Sequence, residues 1–561
     1  MRNHFALAAV MVGLLSVSSQ QAFADGGVSL LVNARIHTVD PSQPEASAMA
    51  WDAEGQLLAV GDLAELQKRF PDTRRVDAGG HAVVPGLIDA HGHLLGLGQS
   101  KRRVDLVGAA SLEENVARTV AFARDQPGDG WLLGRGWDQN DWPVQRFPTA
   151  ADLDKAFPDR PVWLRRIDGH AGWANSAAMR IAAKAAGRDL DGDWQPDGGH
   201  IERIDGKATG VFVDAAMGLV GRVVPTDDPA EVEAALAAAF DAAVAVGLTG
   251  VHDAGTPLSE LGVMRRMADA GKIPLRVYAM ADADNAALDM LCALGPYQHP
   301  GGRLQMRSVK LYIDGALGSR GAALLADYSD DPHNRGLLLM KSDEFERVAA
   351  KAKACGVQVA THAIGDRGNR LVIDTYETVL GKDAGSDLRW RDEHSQIIDP
   401  TDIPRFATLA IIASMQPTHA TSDGPWAEQR LGAKRMAGAY AWRSLLDSGA
   451  RLALGSDFPV EFENPMLGLY AAVTRQDRHG HPPDGWQPSQ RLTPAEALRG
   501  FTLDAAYAGF AENAVGSLKP GKRADFVILS DDPLTIDASK IDDIKVLSTW
   551  VDGQAVYRAG D

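Results

Sequence analysis

Short, β-branched apolar runs alternate with longer stretches of helical periodicity through the middle of the chain, the pattern of βα units around a parallel sheet. Eight runs read as strands: VVPGLIDAH, LTGVHDA, LRVYAMA, SVKLYIDG, VQVATHA, RDEHSQI, AIIASMQP and RLALGSD. Between them lie segments such as PAEVEAALAAAFDAAVAVG and SDEFERVAAKAKACG, whose apolar positions recur at helical spacing. Eight strands are what a closed (β/α)8 TIM-like barrel needs, so the fold class is α/β. The stretch from Leu95 to about Pro225 holds no barrel strand at the right spacing, although PVWLRRID imitates one. It is expected to be a long insertion after strand one that covers the active face.

The two ends of the chain have a different texture. From about Val28 to Val84, short β-rich runs (LLVNARIHTV, SAMAWD, QLLAVG) are separated by Gly and Pro turn signals. GSLKPGKRADFVIL and VLSTWVDGQAVY, near the other end, have the same character. The expected organisation is a small β-sandwich built from residues 25–84 and 501–561, enclosing a barrel over residues 85–500 with its insertion at about 95–225. Ahead of these, Arg2 and His4 precede FALAAVMVGLLSV and the small-x-small site Ala22, Phe23, Ala24. That is the form of a secretory signal peptide over residues 1–24, cleaved to leave Asp25 first. The apolar run is too short for a comfortable membrane span. A protein exported to the periplasm or secreted, with no span after cleavage, is expected.

Composition narrows the partners. Hydrophobic residues make up 45% and charged residues 23% of the chain, as in a globular protein with a large core. With 74 acidic against 57 basic residues, a net charge of −17 argues against a nucleic acid or an anionic membrane surface as the main partner, and the partner expected is a small-molecule substrate. Cys292 and Cys355 are the only cysteines. They are too few for a disulfide framework and the wrong count for a thiolate metal site, and their pairing is open at this level.

The strongest chemical signal is VPGLIDAHGH, residues 84–93, in which His91 and His93 stand two apart at the end of a strand. Residues i and i+2 of a strand face the same side, so both imidazoles can share one metal at the barrel mouth. His362 and His394 close strands five and six, Asp457 closes strand eight, and Lys310 lies on strand four. Ligands converging from several strand ends are what a barrel metal site requires. Nitrogen and carboxylate donors without cysteine suit zinc best among the divalent transition metals. On the residues alone the count is one metal or two, because the alternative remains that Lys310 pairs with a carboxylate such as Asp314.

Taken together, VVPGLIDAHGHL, GRGWDQNDWP, WANSAAM, GLTGVHDAG, VKLYIDGALGSRGAALLADYSD, THAIGD, RDEHSQ, SMQPTHA, LALGSDFPVE and VGSLKPGKRADFVIL resemble the amidohydrolase superfamily over nearly the whole mature chain. Within it, the resemblance is to the amidohydrolase family 3 group of N-substituted formamide deformylase-like metal-dependent hydrolases. The resemblance implies that His91, His93 and Asp457 hold one metal and that His362 and His394 hold a second. It also implies that Lys310 bridges them as an N6-carboxylated lysine, and it makes a homodimer a candidate assembly. The activity implied is cleavage of a non-peptide carbon–nitrogen bond by metal-activated water, with Asp457 as the proton carrier. His419 in QPTHA and Arg320 in LGSRG are candidate donors to the substrate carbonyl. His170 is the substrate-contact candidate within the insertion, which also carries Trp131, Trp137, Trp142, Trp163 and Trp173. Those tryptophans read better as the insertion's own core than as a pocket wall. His200, His252, His479 and His481 are read as structural or solvent-exposed. An ester or lactone hydrolase on the same scaffold, or a regulatory member without turnover, are the competing functions, and retention of every metal position speaks against the latter.

Overall fold

The computed structural model describes residues 27–125, 128–225, 228–282 and 285–560, so the signal peptide expected in the first 24 residues lies outside the described residues. Among the described residues no helix is long and apolar enough to cross a membrane. Eight parallel strands form the barrel: β1 (Leu87–Gly92), β2 (Leu248–Thr256), β3 (Arg276–Asp282), β4 (Leu304–Tyr312), β5 (Gln358–Ala363), β6 (Arg391–His394), β7 (Ile412–Met415) and β8 (Arg451–Leu454). Each pairs in parallel with its predecessor, in chain order. All eight overlap the runs that periodicity singles out, and β1 to β4 extend past them, with β4 beginning at Leu304. The run VVPGLIDAH divides, however: Ala82–Pro85 joins the sandwich and only Leu87–Gly92 enters the barrel. Pro85 has no N–H to continue a ladder. Gly86 then lets β2 approach, since a Cβ there would lie 2.1 Å from Thr249 Oγ1.

The seam between β1 and β8 is closed by the segment after β8. Asp457 N–H donates to His91 O at 2.7 Å, and the Asp89 carboxylate accepts from Ser456 N–H and, at 2.6 Å, from Ser456 Oγ. Gly455 permits the approach, because a Cβ there would meet Asp89 Oδ1 at 2.5 Å and His91 N at 2.6 Å. At the opposite end, helix Leu503–Ala508 packs through Ala505, Ala506 and Ala508 against Ile88, Ala90, Ile412 and Ala453. The chain therefore stays with the barrel past residue 500, and the sandwich strands resume at Phe526.

That sandwich pairs a four-stranded sheet, order Leu57–Gly61, Ala48–Trp51, Ser29–Val32, Arg74–Asp77, with a six-stranded sheet drawn from both ends of the chain. In the second sheet Phe526–Leu529 sits between Ala82–Pro85 and Val546–Val551. Between the sheets, Trp51, Phe526 and Trp550 form one aromatic core, with Phe526 stacked on Trp550 at 5.1 Å.

The insertion after β1 folds around its own six-stranded sheet, which includes Leu132–Trp137, Val162–Arg166 and Ala171–Ala174. Alternation along Val162–Arg166 sends Val162 and Leu164 to one face with Trp137, Trp142 and Trp173, and Trp163 to the other with Phe212. Trp131 packs on the second face.

Cys292 and Cys355, left open by the sequence, form a disulfide with Cα atoms 5.0 Å apart. It ties helix Asn285–Leu294, after β3, to the end of helix Ser342–Ala354, after β4. A crosslink across 63 residues restricts the unfolded chain and contributes about 2–4 kcal/mol. Replacing both cysteines by serine is expected to lower the denaturant midpoint of unfolding by that free energy with the barrel intact; an unchanged midpoint would mean that the crosslink does not stabilise the fold.

Candidate metal centre

The carboxyl ends of the barrel strands bring together most of the groups expected from the sequence. His91 ends β1 fully buried, and His93 follows as the residue before helix Leu94–Ser100. Asp457 Oδ1 lies 3.0 Å from His93 Nε2 and 3.7 Å from His91 Nε2, and makes no hydrogen bond. Lys310 Nζ, from β4, stands 3.4 Å from His91 Nε2. His394, from the end of β6, has its ring 4.7 Å from that of His91 and 4.6 Å from that of His362. His394 and Asp457 both adopt left-handed backbone, φ +78° and +61°, a conformation that residues with a Cβ tolerate where the surroundings hold it.

Among the described residues two sets of three ligand atoms lie within 4.8 Å of one another: His91, His93 and Asp457, and His394, His419 and Asp457. Asp457 belongs to both. His419, reached from the helix after β7, places Nε2 3.6 Å from Asp457 Oδ2, and that Nε2 has no hydrogen-bond partner. His362 Nε2 is likewise buried and unpartnered.

The electrostatics suit a cation. Burial first, and then Lys310, lowers the His91 imidazole to about 4. Burial also holds His362 and His394 well below the usual imidazole range. All three rings are therefore neutral at pH 7, the state in which histidine ligates metal. Asp457 is held well below the usual carboxylate range, because His93, His91 and His394 together outweigh its burial. Unpartnered buried donor atoms, neutral imidazoles and an ionised carboxylate fit a divalent transition metal.

A layer of polar residues that the sequence did not single out sets the ring orientations. His91 Nδ1 meets Glu393 Oε2 at 2.6 Å, and His394 Nδ1 meets Gln416 Oε1 at 2.9 Å, which turns each Nε2 toward the centre. Glu393 is gripped in turn by Arg391, whose Nε lies 2.6 Å from Oε1, and Arg391 reaches His252 Nδ1 at 2.9 Å. His252 thus has the structural role expected of it. The one signal for this layer was Arg-Asp-Glu-His in a run read as a barrel strand, where Arg391 and Glu393 share a face.

The centre floors a cavity of about 510 Å3 roofed by the insertion. His170 lines it, with its ring 5.2 Å from that of His362 and Nδ1 2.7 Å from Asp214 Oδ1. Burial works against its charge, but Asp214 outweighs it and raises the imidazole above its ordinary range. Buried Arg166 braces the roof through Asp138 and Asp168. Arg320, expected near the substrate, is not on the cavity wall: it pairs with Asp330 at 3.0 Å on the loop after β4, because left-handed backbone at Arg320 (φ +60°) lies in a turn closed on Leu317. Lys310 makes no contact with Asp314, which instead accepts the backbone N–H groups of Ala323, Ile364 and Gly365. The five insertion tryptophans do not line the cavity. His479 stands at its mouth, and His200 and His481 are exposed.

Comparison with known proteins agrees with this geometry. A family model described as the amidohydrolase family matches residues 74–557. The chain is 36% identical to Protein LONG AFTER FAR-RED 3 of Arabidopsis thaliana, over 94% of this chain and 91% of that one. It is 29% identical to N-substituted formamide deformylase of Arthrobacter pascens, over 94% and 98% of the two chains. Among solved structures, an uncharacterized metal-dependent hydrolase from Pyrococcus horikoshii OT3 superposes with a TM-score of 0.73 at 27% identity, covering 91% of this chain and 99% of that one.

Glu393→Gln keeps an acceptor for His91 but removes the charge shared with Arg391. Chelator competition should show metal binding weakened about 10–100-fold, the usual effect of losing such support. Unaltered affinity in a folded variant would remove Glu393 from the centre.

Proposed function

The chain belongs to the amidohydrolase family, and on that premise we propose that it is an exported hydrolase cleaving the carbon–nitrogen bond of a small non-peptide amide, such as an N-acyl or cyclic amide. The observation that carries this reading is Asp457, a buried carboxylate within ligand reach of two imidazole sets at the floor of one cavity. Likeness to the formamide deformylase along nearly the full length of both chains supports the bond type. The Cys292–Cys355 bond supports export, since such bonds persist in oxidising compartments.

In this reading His91, His93 and Asp457 hold one divalent ion and His362 and His394 a second, with zinc the best match to the donors. When bound, such an ion lowers the pKa of a water ligand from 15.7 toward about 7 and polarises a carbonyl oxygen. Asp457, kept ionised, takes the proton of the attacking water and returns it to the departing nitrogen. His170, its imidazole pKa raised by Asp214, is the donor placed to face the oxygen on which negative charge develops. Lys310 is pushed down to about 8 by burial, so part of it is an uncharged amine near neutral pH. Its lone pair can add to carbon dioxide with loss of a proton, giving an anionic carbamate between the two ligand sets.

The purified mature protein is expected to carry between one and two equivalents of a divalent transition metal and to hydrolyse members of a panel of N-acyl amines, formamides and cyclic amides faster than matched esters or lactones. Asp457→Asn should keep a ligand oxygen and lose about 10² or more in turnover, with substrate affinity changed much less. A variant that holds its metal and turns over at the parent rate would show that the proton carrier is another group. Lys310→Ala should lose metal and activity, and short carboxylic acids should restore part of both. Absence of rescue would favour a single ion held without a carbamate.

A further inference from the structure

Helix Pro417–Leu431 follows β7 and turns a polar stripe to the cavity: His419, Ser422, Asp423 and Trp426, at i, i+3, i+4 and i+7. Three carboxylates on this side of the cavity, Asp141, Asp423 and Glu461, have no Lys or Arg within ion-pair distance among the described residues. The nearby cations are engaged elsewhere: Lys101 with Glu463 at 2.9 Å, Arg166 with Asp138 and Asp168, Arg135 with the carbonyls of Pro459 and Ile167, and Arg478 over the Phe462 ring. Asp423 accepts only the Tyr440 hydroxyl, and Glu461 only that of Ser422, at 2.7 Å. Burial raises all three, Asp141 to about 6, and outweighs the pull of Arg166 on Asp141 and Asp423 and of His419 and Arg135 on Glu461. His419, only 6% exposed, lies one helical turn from Asp423 and turns its Nε2 to Asp457 at 3.6 Å, which joins this wall to the metal centre.

We propose that this wall receives a positively charged amino group, so that the preferred substrate is an aliphatic diamine acylated on one nitrogen and carrying a free ammonium on the other. Carboxylates outside any ion pair bind an ammonium by charge-assisted hydrogen bonds. The stripe on the helix sets the reach: His419 adjoins Asp457, and Asp423 follows about 5–6 Å further along, the span of a short methylene chain. The acyl carbon then lies at the floor and the ammonium at the wall. This inference rests on reading the cavity as the substrate site, and it specifies what that site selects.

The test uses metal-loaded protein and two probe pairs. For turnover, mono-N-acetyl-1,4-diaminobutane is compared with N-butylacetamide; for binding, n-butylammonium is compared with 1-butanol by calorimetry. The cationic member of each pair should be favoured at least 10-fold, and Asp423→Asn with Glu461→Gln should bring the ratio close to 1. Glu461→Gln alone, which disturbs only the bond to exposed Ser422, should remove part of the preference and guards against misfolding of the double variant. Equal handling of cationic and neutral probes, or a preference untouched by Glu461→Gln, would overturn the proposal. Cation-selective binding without cleavage of either amide would instead sink the amidase reading and leave this inference standing.

Discussion

The seam between the first and last barrel strands is the constraint on which the site depends. Asp89 spans it, binding His91 N–H on its own strand and Ser456 on the other, while His91 O accepts the N–H of Asp457. Burial raises Asp89 to about 7, so these short bonds hold a carboxyl that the interior penalises as an anion. Without that clamp, His91 and Asp457 would stand on two free edges of an open sheet. With it, ligands separated by more than 360 residues share one floor.

A second polar line supports that floor from inside the barrel. His252, Arg391, Glu393 and His91 form a continuous buried chain running across β2, β6 and β1. Replacing one member of such a chain leaves a buried charge unpaired, which costs about 3–5 kcal/mol. The arrangement contributes less to net stability than to a fixed orientation for His91. Rigidity here has a chemical use, because a ring that rotated would lose its lone pair from the centre.

Much of this was legible in the chain. The eight barrel strands are local patterns, and histidines at strand ends are geometrically constrained by the period of two. The sandwich was readable from the turn chemistry at both ends. What was not readable depends on distant segments. Gln416 matters because β6 and β7 are neighbours in the barrel, and Glu393 because β6 faces His91 of β1; beyond the face shared by Arg391 and Glu393, nothing in their local strings marks an amide or a carboxylate as a histidine's partner. Arg320 looked like a donor by its motif, yet left-handed backbone sends it to Asp330. The Cys292–Cys355 pair required two outer helices to be adjacent, a fact of barrel order. VVPGLIDAH read as one strand because its apolar run is continuous, whereas Pro85 and Gly86 divide it between two sheets.

The shared six-stranded sheet also bears on the order in which the molecule is made. Phe526–Leu529 fills the gap between Ala82–Pro85 and Val546–Val551, so one edge of an early strand stays bare until the chain is nearly all synthesised. Pairings across more than 440 residues close late, since long loops must be brought together before their contacts repay the lost freedom. Until then Val83 and Trp51 have no Phe526 to rest on, and their apolar surfaces are open to a chaperone. The sandwich therefore acts as a completeness check: a truncated chain can assemble individual βα units, but it cannot cover the aromatic core.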